Sequence, residues 1–248
     1  MRIAIFPAAF LCLATALVRA EGQTVIASDE GNVIVHPIEH ASFVLEAGDQ
    51  RIAFDPVGGA DRSPELDGVG LVLVTDIHGD HFDAATLADL AGNGARIVAP
   101  AAVADRMDPG LAAATTVLAN GKTTTVGGVA IEAVPMYNLT KSFHPKGRGN
   151  GYVLTLSGLR IYVSGDTEGT REMRGLEGID VAFVCMNLPY TMDVEQAADA
   201  VVEMQPRIAY PYHYRGEDGL ADVERFAELV HAKNDAIEVR QLDWYPGD

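Results

Sequence analysis

The sequence predicts an α/β fold arranged as a four-layer sandwich, with two packed sheets between outer layers of helices. Three features point to it. Short runs of alternating apolar residues fill the first half, a continuous apolar run at 71–74 marks a strand covered on both faces, and the final third alternates strand with helix. At 248 residues, 48% hydrophobic and without a Pro/Gly/Ser-rich stretch in the middle, the chain suits one sizeable domain, placed at 21–248.

Residues 32–36, 43–46 and 51–54 read as short antiparallel strands, the last two joined by the turn Gly48-Asp49. Leu71-Val72-Leu73-Val74 lies between Gly70 and Thr75-Asp76, as a central strand should. Asp83 is placed to cap a short helix through Leu87, Leu90 and Ala91 that stops at Gly92, and 96–99 returns to strand. Paired strands are expected over 122–136 and 151–163, the second pair turning at Ser157-Gly158. A strand at 181–184 then precedes a helix carrying Val194, Ala197, Ala198 and Val201. After a strand at 208–210, a last helix carries Leu220, Val223, Phe226, Ala227 and Val230, and a strand at 237–242 ends the series.

Residues 1–20 begin Met1-Arg2, run apolar to Val18 and end Arg19-Ala20, with small residues where a signal peptidase reads. The expectation is a cleaved signal peptide, a mature chain starting at Glu21, a periplasmic or secreted protein and no stable membrane anchor. The formal charge is −17, and losing Arg2 and Arg19 with no acid leaves 16 basic against 35 acidic residues, or −19. Such a field repels polyanions, so no nucleic-acid partner is expected and a small-molecule substrate is. A local patch of Lys141, Lys146 and Arg148 is the place where a small anion could be drawn in. Of two cysteines, Cys12 falls in the signal segment, and Cys185, inside an apolar run, reads as a packed core residue. Nothing in the sequence fixes an oligomeric state.

The chemistry concentrates in Thr75-Asp76-Ile77-His78-Gly79-Asp80-His81-Phe82-Asp83, directly after the buried strand. In extended or loop backbone, residues two apart project the same way, so Asp76, His78 and Asp80 can converge while His81 turns toward a second position. The bland alternative is a hydrated acidic loop with incidental histidines. Three later residues also sit at strand ends or in loops: His144 in Phe143-His144-Pro145-Lys146-Gly147, Asp166 in Ser164-Gly165-Asp166-Thr167, and His213 in Tyr210-Pro211-Tyr212-His213-Tyr214. Taken singly, His144 reads as surface or structural, Asp166 as a turn or helix-cap acid, and His213 as a satisfied core histidine. Taken together, they form an ordered ligand series.

On these motifs the sequence resembles the metallo-β-lactamase superfamily over 33–214, and more closely its ascorbate-6-phosphate lactonase-like branch. His40-Ala41-Ser42, Asp55-Pro56, Tyr137-Asn138, His144-Pro145-Lys146-Gly147 and Pro211-Tyr212-His213-Tyr214 add to the likeness. The resemblance implies two divalent ions: the first on Asp76, His78 and His144, the second on Asp80, His81 and His213, with Asp166 between them. Many members carry histidine where this chain has Asp76, which makes the first site harder and opens manganese or iron beside zinc. Redox-active di-iron relatives carry glutamate at the position of His78, a change absent here, so hydrolysis is the expectation.

Two divalent ions lower the pKa of a shared water toward neutrality, which suits a bridging-hydroxide hydrolase of small esters, lactones, amides or phosphoesters. Asp80 and Asp166 are the expected catalytic carboxylates, Asp80 orienting the nucleophile and Asp166 spacing the cations. His40, Tyr137, Asn138, Lys146 and Tyr214 are candidates for substrate contact or ligand support. The alternatives are a metal-binding sensor or scaffold without turnover, and a β-lactamase, since fold does not fix substrate.

Overall fold

The computed structural model describes residues 24–246, so the expected signal peptide and its cleavage site lie outside the described residues. One sheet runs in sequence order through β1 (Val25–Ile26), β2 (Val33–Glu39), β3 (Ser42–Ala47), β4 (Gln50–Phe54), β5 (Leu71–Leu73), β6 (Arg96–Ala99) and β7 (Thr115–Val117). Its partner comprises β8 (Thr123–Val126), β9 (Val129–Met136), β10 (Gly149–Leu156), β11 (Leu159–Val163), β12 (Val181–Cys185), β13 (Ile208–Tyr212) and β16 (Glu238–Val239), with β16 beside β13. In each sheet the hairpin-linked strands pair antiparallel, and the strands joined by helical or irregular crossovers pair parallel. A small ribbon pairs β14 (Arg215–Gly216) with β15 (Gly219–Leu220).

Apolar alternation on the facing sheets builds the central core. Phe43 of β3 stacks on Phe54 at 4.6 Å and on Phe183 of β12 at 4.7 Å, and Phe183 stacks on Tyr210 at 4.9 Å. On the outer face of the first sheet, Val72, Val74 and Ile97 pack against Leu87 and Leu90 of helix α1 (Ala84–Gly92) and Val103 of α2 (Ala101–Ala104), with α3 (Pro109–Ala114) adding Leu111. On the second sheet's outer side lie a short helix α4 (Arg171–Arg174), α5 (Val194–Met204) and α6 (Val223–Lys233), which bury Met173, Ala197, Ala198, Val201, Phe226 and Val230. The four layers expected from the sequence are therefore present. Among the described residues, no helix is long and apolar enough to cross a membrane.

Two expectations change in detail. Leu220 is not on the last helix: Asp222 caps that helix by accepting from Arg225 N at 2.8 Å, so Leu220 falls outside it and is exposed. Its three-residue spacing from Val223 imitated an apolar face that the cap cuts short. The expected strand at 237–242 shrinks to Glu238–Val239, because the chain then leaves the sheet edge to bury Leu242, Trp244 and Tyr245. Cys185 is a free, fully buried thiol, which burial pushes up to about 11, consistent with a packing role.

Asp83 caps α1 as the sequence predicts, accepting from Ala85 N at 3.0 Å and the Thr86 hydroxyl at 2.8 Å, and it also takes Gly58 N at 3.1 Å. It therefore ties the loop after β4 to the helix that follows the ligand loop. Asp83→Ala is expected to lower unfolding free energy by about 1–2 kcal/mol. Denaturant titration of the two proteins side by side measures this, and an unchanged midpoint would show that the cap contributes nothing.

Candidate metal centre

The centre begins where β5 ends. Thr75 donates its backbone N–H to Asp55 Oδ1 at 2.7 Å and its hydroxyl to Asp55 Oδ2 at 2.6 Å. Asp55, which follows β4 and is fully buried, also accepts from His81 Nδ1 at 2.8 Å. With Nδ1 engaged, His81 presents Nε2 to the site. Between Thr75 and His81 the backbone closes into a turn, with His81 N and Phe82 N both donating to His78 O at 3.0 and 2.8 Å. The turn divides the loop, with Asp76 and His78 on one side and Asp80 and His81 on the other.

The second sheet supplies the remaining side chains. His144 comes from the β9–β10 connection, Asp166 follows β11 and His213 follows β13. Asp55, His144 and His213 have φ of 44°, 52° and 46°, left-handed conformations that cost non-glycine residues energy and that cluster at functional sites. Gly165, before Asp166, has φ of 58°, and a Cβ there would sit 2.4 Å from Met136 Sδ and 3.0 Å from Thr75 Cβ. Only glycine lets the Asp166 turn approach the ligand loop so closely.

Two clusters result: Asp76, His78 and His144 in one, Asp80, His81 and His213 in the other, the ligand atoms of each lying within 4.8 Å of one another. Asp166 lies between them. Its Oδ2 is 3.2 Å from His144 Nε2 and 3.4 Å from His81 Nε2, and its Oδ1 is 3.3 Å from His213 Nε2. Asp166 does not cap the helix that follows: Thr170 caps α4, accepting from Met173 N. All seven expected ligands converge, five of them buried and His78 and Asp80 partly open to solvent. The donor set fits divalent metal ions, and His81 Nε2 and Asp166 Oδ1 are buried without a hydrogen-bond partner, as expected of atoms aimed at a cation.

Charge is finely balanced in this pocket. Burial works to lower the His81 pKa, but Asp166 and Asp55 outweigh it and hold the imidazole well above its ordinary value. Burial likewise works to raise Asp166, but His81 and His213, with the hydrogen bond from His144, hold it well below the carboxylate range. Asp80 is also held below that range: burial opposes, and the His213 hydrogen bond prevails.

The expected supporting residues divide into two groups. Asn138 donates Nδ2 to Tyr190 O at 2.7 Å and its backbone N–H to His144 O at 2.9 Å, so it fixes the loop that carries His144. His40 packs edge-on against His213 at 5.5 Å and against Tyr245 at 5.1 Å, and Tyr214 packs on Tyr245, which makes a buttress behind His213. Tyr137 and Lys146 instead meet each other and Glu172: the phenol donates to Glu172 Oε2 at 2.9 Å and the ammonium to Oε1 at 2.6 Å.

The expected anion-attracting patch is a correction, because each of its cations faces an acid. Lys141 lies 4.0 Å from Glu168, Lys146 pairs with Glu172, and Arg148 forks onto Asp76. Sequence reasoning also missed Glu168, which accepts from Leu139 N at 2.6 Å and Thr140 N at 2.7 Å and so ties the His144 loop to the Asp166 turn. Its position two residues after Asp166 was the available signal.

The family described as the beta-lactamase superfamily domain matches residues 35–213. The chain belongs to that superfamily. Among curated relatives, a UPF0173 metal-dependent hydrolase of Thermococcus onnurineus is 35% identical over 219 residues, covering 83% of this chain and 95% of the relative. The crystal structure of a protein assigned as a metal-dependent hydrolase from Parabacteroides distasonis matches with TM-score 0.78 and 34% identity, covering 89% of this chain and 98% of the other. Igni18, a metallo hydrolase of Ignicoccus hospitalis, shares the fold at TM-score 0.71 and 24% identity, with 87% and 96% covered. The protein is a metal-dependent hydrolase of the metallo-β-lactamase fold. These relatives do not single out the ascorbate-6-phosphate lactonase-like branch.

With the His81 imidazole held above its ordinary value, a divalent ion taken up at Nε2 would displace a proton there. Divalent-metal binding at neutral pH is therefore expected to release protons and to weaken as pH falls. Calorimetric titration in buffers of different ionisation enthalpy measures the release; a buffer-independent heat would show that no net proton leaves the site on binding.

Proposed function

We propose that the protein hydrolyses a small ester, lactone, amide or phosphoester with two divalent ions, zinc foremost and manganese or iron as substitutes, held by Asp76, His78 and His144 and by Asp80, His81 and His213, with Asp166 shared. The observation that carries this reading is the placement of Asp166 within 3.4 Å of imidazoles from both clusters. When bound, such a pair of ions supplies Lewis acidity that brings a water's pKa toward neutrality and polarises a scissile bond.

The chain's own residues do the rest. Asp166 keeps its charge between the two imidazole sets and offsets the repulsion between cations. Asp80 is a carboxylate that is partly open to solvent, with Oδ2 3.3 Å from His213 Nε2, placed to accept a hydrogen bond from the attacking water and turn its lone pair toward substrate. Asp55 and Thr75 hold His81 in one orientation throughout.

The surroundings favour small substrates of low charge. Phe143 packs edge-on to Tyr190 at 5.1 Å beside His144, and Leu139 on the same loop is exposed, so one rim of the site is apolar. The nearby cations are paired with acids, and the net charge is −17. The export reading belongs to this proposal: intact mass of protein made with its leader should begin at Glu21, and retention of 1–20 would remove the periplasmic or secreted assignment.

Asp166→Asn separates a bridging from a structural carboxylate, because the amide keeps size and polarity while losing charge. The expected result is loss or weakening of at least one metal ion and a fall in turnover of at least about a hundredfold. Metal content and turnover on an ester and phosphodiester panel measure both. A variant with parent metal content and activity would end the two-metal assignment.

A further inference from the structure

The protein itself satisfies the two clusters very differently. In the second, His81 Nε2 and Asp166 Oδ1 are buried and have no hydrogen-bond partner. In the first, the carboxylate of Asp76 is already taken. Arg148 Nε donates to Asp76 Oδ1 at 3.1 Å and Nη2 to Oδ2 at 2.9 Å, a bidentate fork, and Oδ2 also lies 2.9 Å from His78 Nδ1. The same Nη2 stands 3.4 Å from His78 Nε2. Asp76 is fully buried and the Arg148 side chain largely so, so water screens this pair little.

A guanidinium cannot shed its proton at any working pH, and a fork onto carboxylate is among the stronger ion pairs available to a protein. An ion entering the first cluster would need Asp76 Oδ2, the oxygen that faces His78 and His144. It would have to share that oxygen with Arg148 and sit close to a fixed positive charge. Among the described residues, no lysine or arginine pairs with Asp80 or Asp166 of the second cluster, and the side chains that tune His81 are the acids Asp55 and Asp166. A histidine at position 76 would offer a guanidinium no fork to grip, so Asp76 and Arg148 act as a unit.

We propose that Arg148 makes the two metal positions unequal: Asp80, His81 and His213 with Asp166 take a divalent ion first and tightly, and Asp76, His78 and His144 take a second one weakly, because it competes with Arg148 for Asp76. The protein then passes from a one-metal to a two-metal form as free metal rises, with Arg148 setting the threshold. This rests on the two clusters being metal sites, as proposed above.

Stepwise zinc binding to metal-stripped, full-length protein, read against a competing chromophoric chelator, tests the idea without requiring a substrate. The parent should show two dissociation constants at least about tenfold apart. Arg148→Gln should tighten the weaker step by about tenfold or more and shift the tighter step by less than about threefold. Because Arg148→Gln leaves a buried carboxylate without its partner and could fail to fold, Asp76→His is the second variant. It removes the fork acceptor, suits zinc, and should close the gap in the same way. Two equal constants in the parent, or a weaker step that neither variant tightens, would overturn the inequality while leaving the metal centre standing. A folded parent that binds no zinc would overturn the metal-centre reading and the inequality with it.

Discussion

Burying the Asp166 carboxylate among imidazoles is the constraint on which the rest of the structure depends. An isolated carboxylate so deeply enclosed would take up a proton rather than stay charged. Here His81, His144 and His213 surround it within 3.4 Å, and each is delivered by a different connection between strands. The connections must therefore be held to fractions of an ångström, and the structure spends its unusual local features on doing so. Left-handed φ values at Asp55, His144 and His213, the obligatory Gly165, and the Glu168 clasp on Leu139 and Thr140 all serve this placement.

Behind the ligands stands a second ring of contacts that gives each imidazole a fixed pose. Asp55 and Thr75 hold His81, Asn138 approaches His144, and His40 with Tyr245 buttresses His213. His78 differs, being partly open to solvent with Asp76 and His144 as neighbours in its own cluster. The better-braced cluster is thus the one built on His81 and His213, and the looser one is the one gripped by Arg148.

Much of this was legible in the sequence because it is written in local patterns. Strand periodicity and the Asp83 cap gave the layers, and the six residues from Asp76 to His81 carry four potential ligands in one loop, a density that a solvated turn has no reason to hold. What stayed hidden is non-local. Arg148 looked like part of a basic patch because its partner, Asp76, lies 72 residues away. Asp55 read as half of a weak dipeptide because its partner His81 is 26 residues on. The shared signal is a buried acid at a strand end, and only the parallel pairing of β4 with β5 brings Asp55 next to Thr75 and His81. The edge strand β7 escaped for the opposite reason: Thr116 and Val117 are both exposed, so no alternation marks it.

The ligands are divided between the sheets, with the 76–81 loop on one and His144, Asp166 and His213 on the other. Each cluster therefore spans the two sheets, whose separation beneath the site is set by the interior stacking of Phe43 of β3 on Phe183 of β12. That stack works as a calliper. Trimming either ring would let one sheet settle toward the other, so a change at a residue outside both clusters would alter the distance across each of them, a route by which the chemistry can be retuned from the inside of the sandwich with every cluster residue kept.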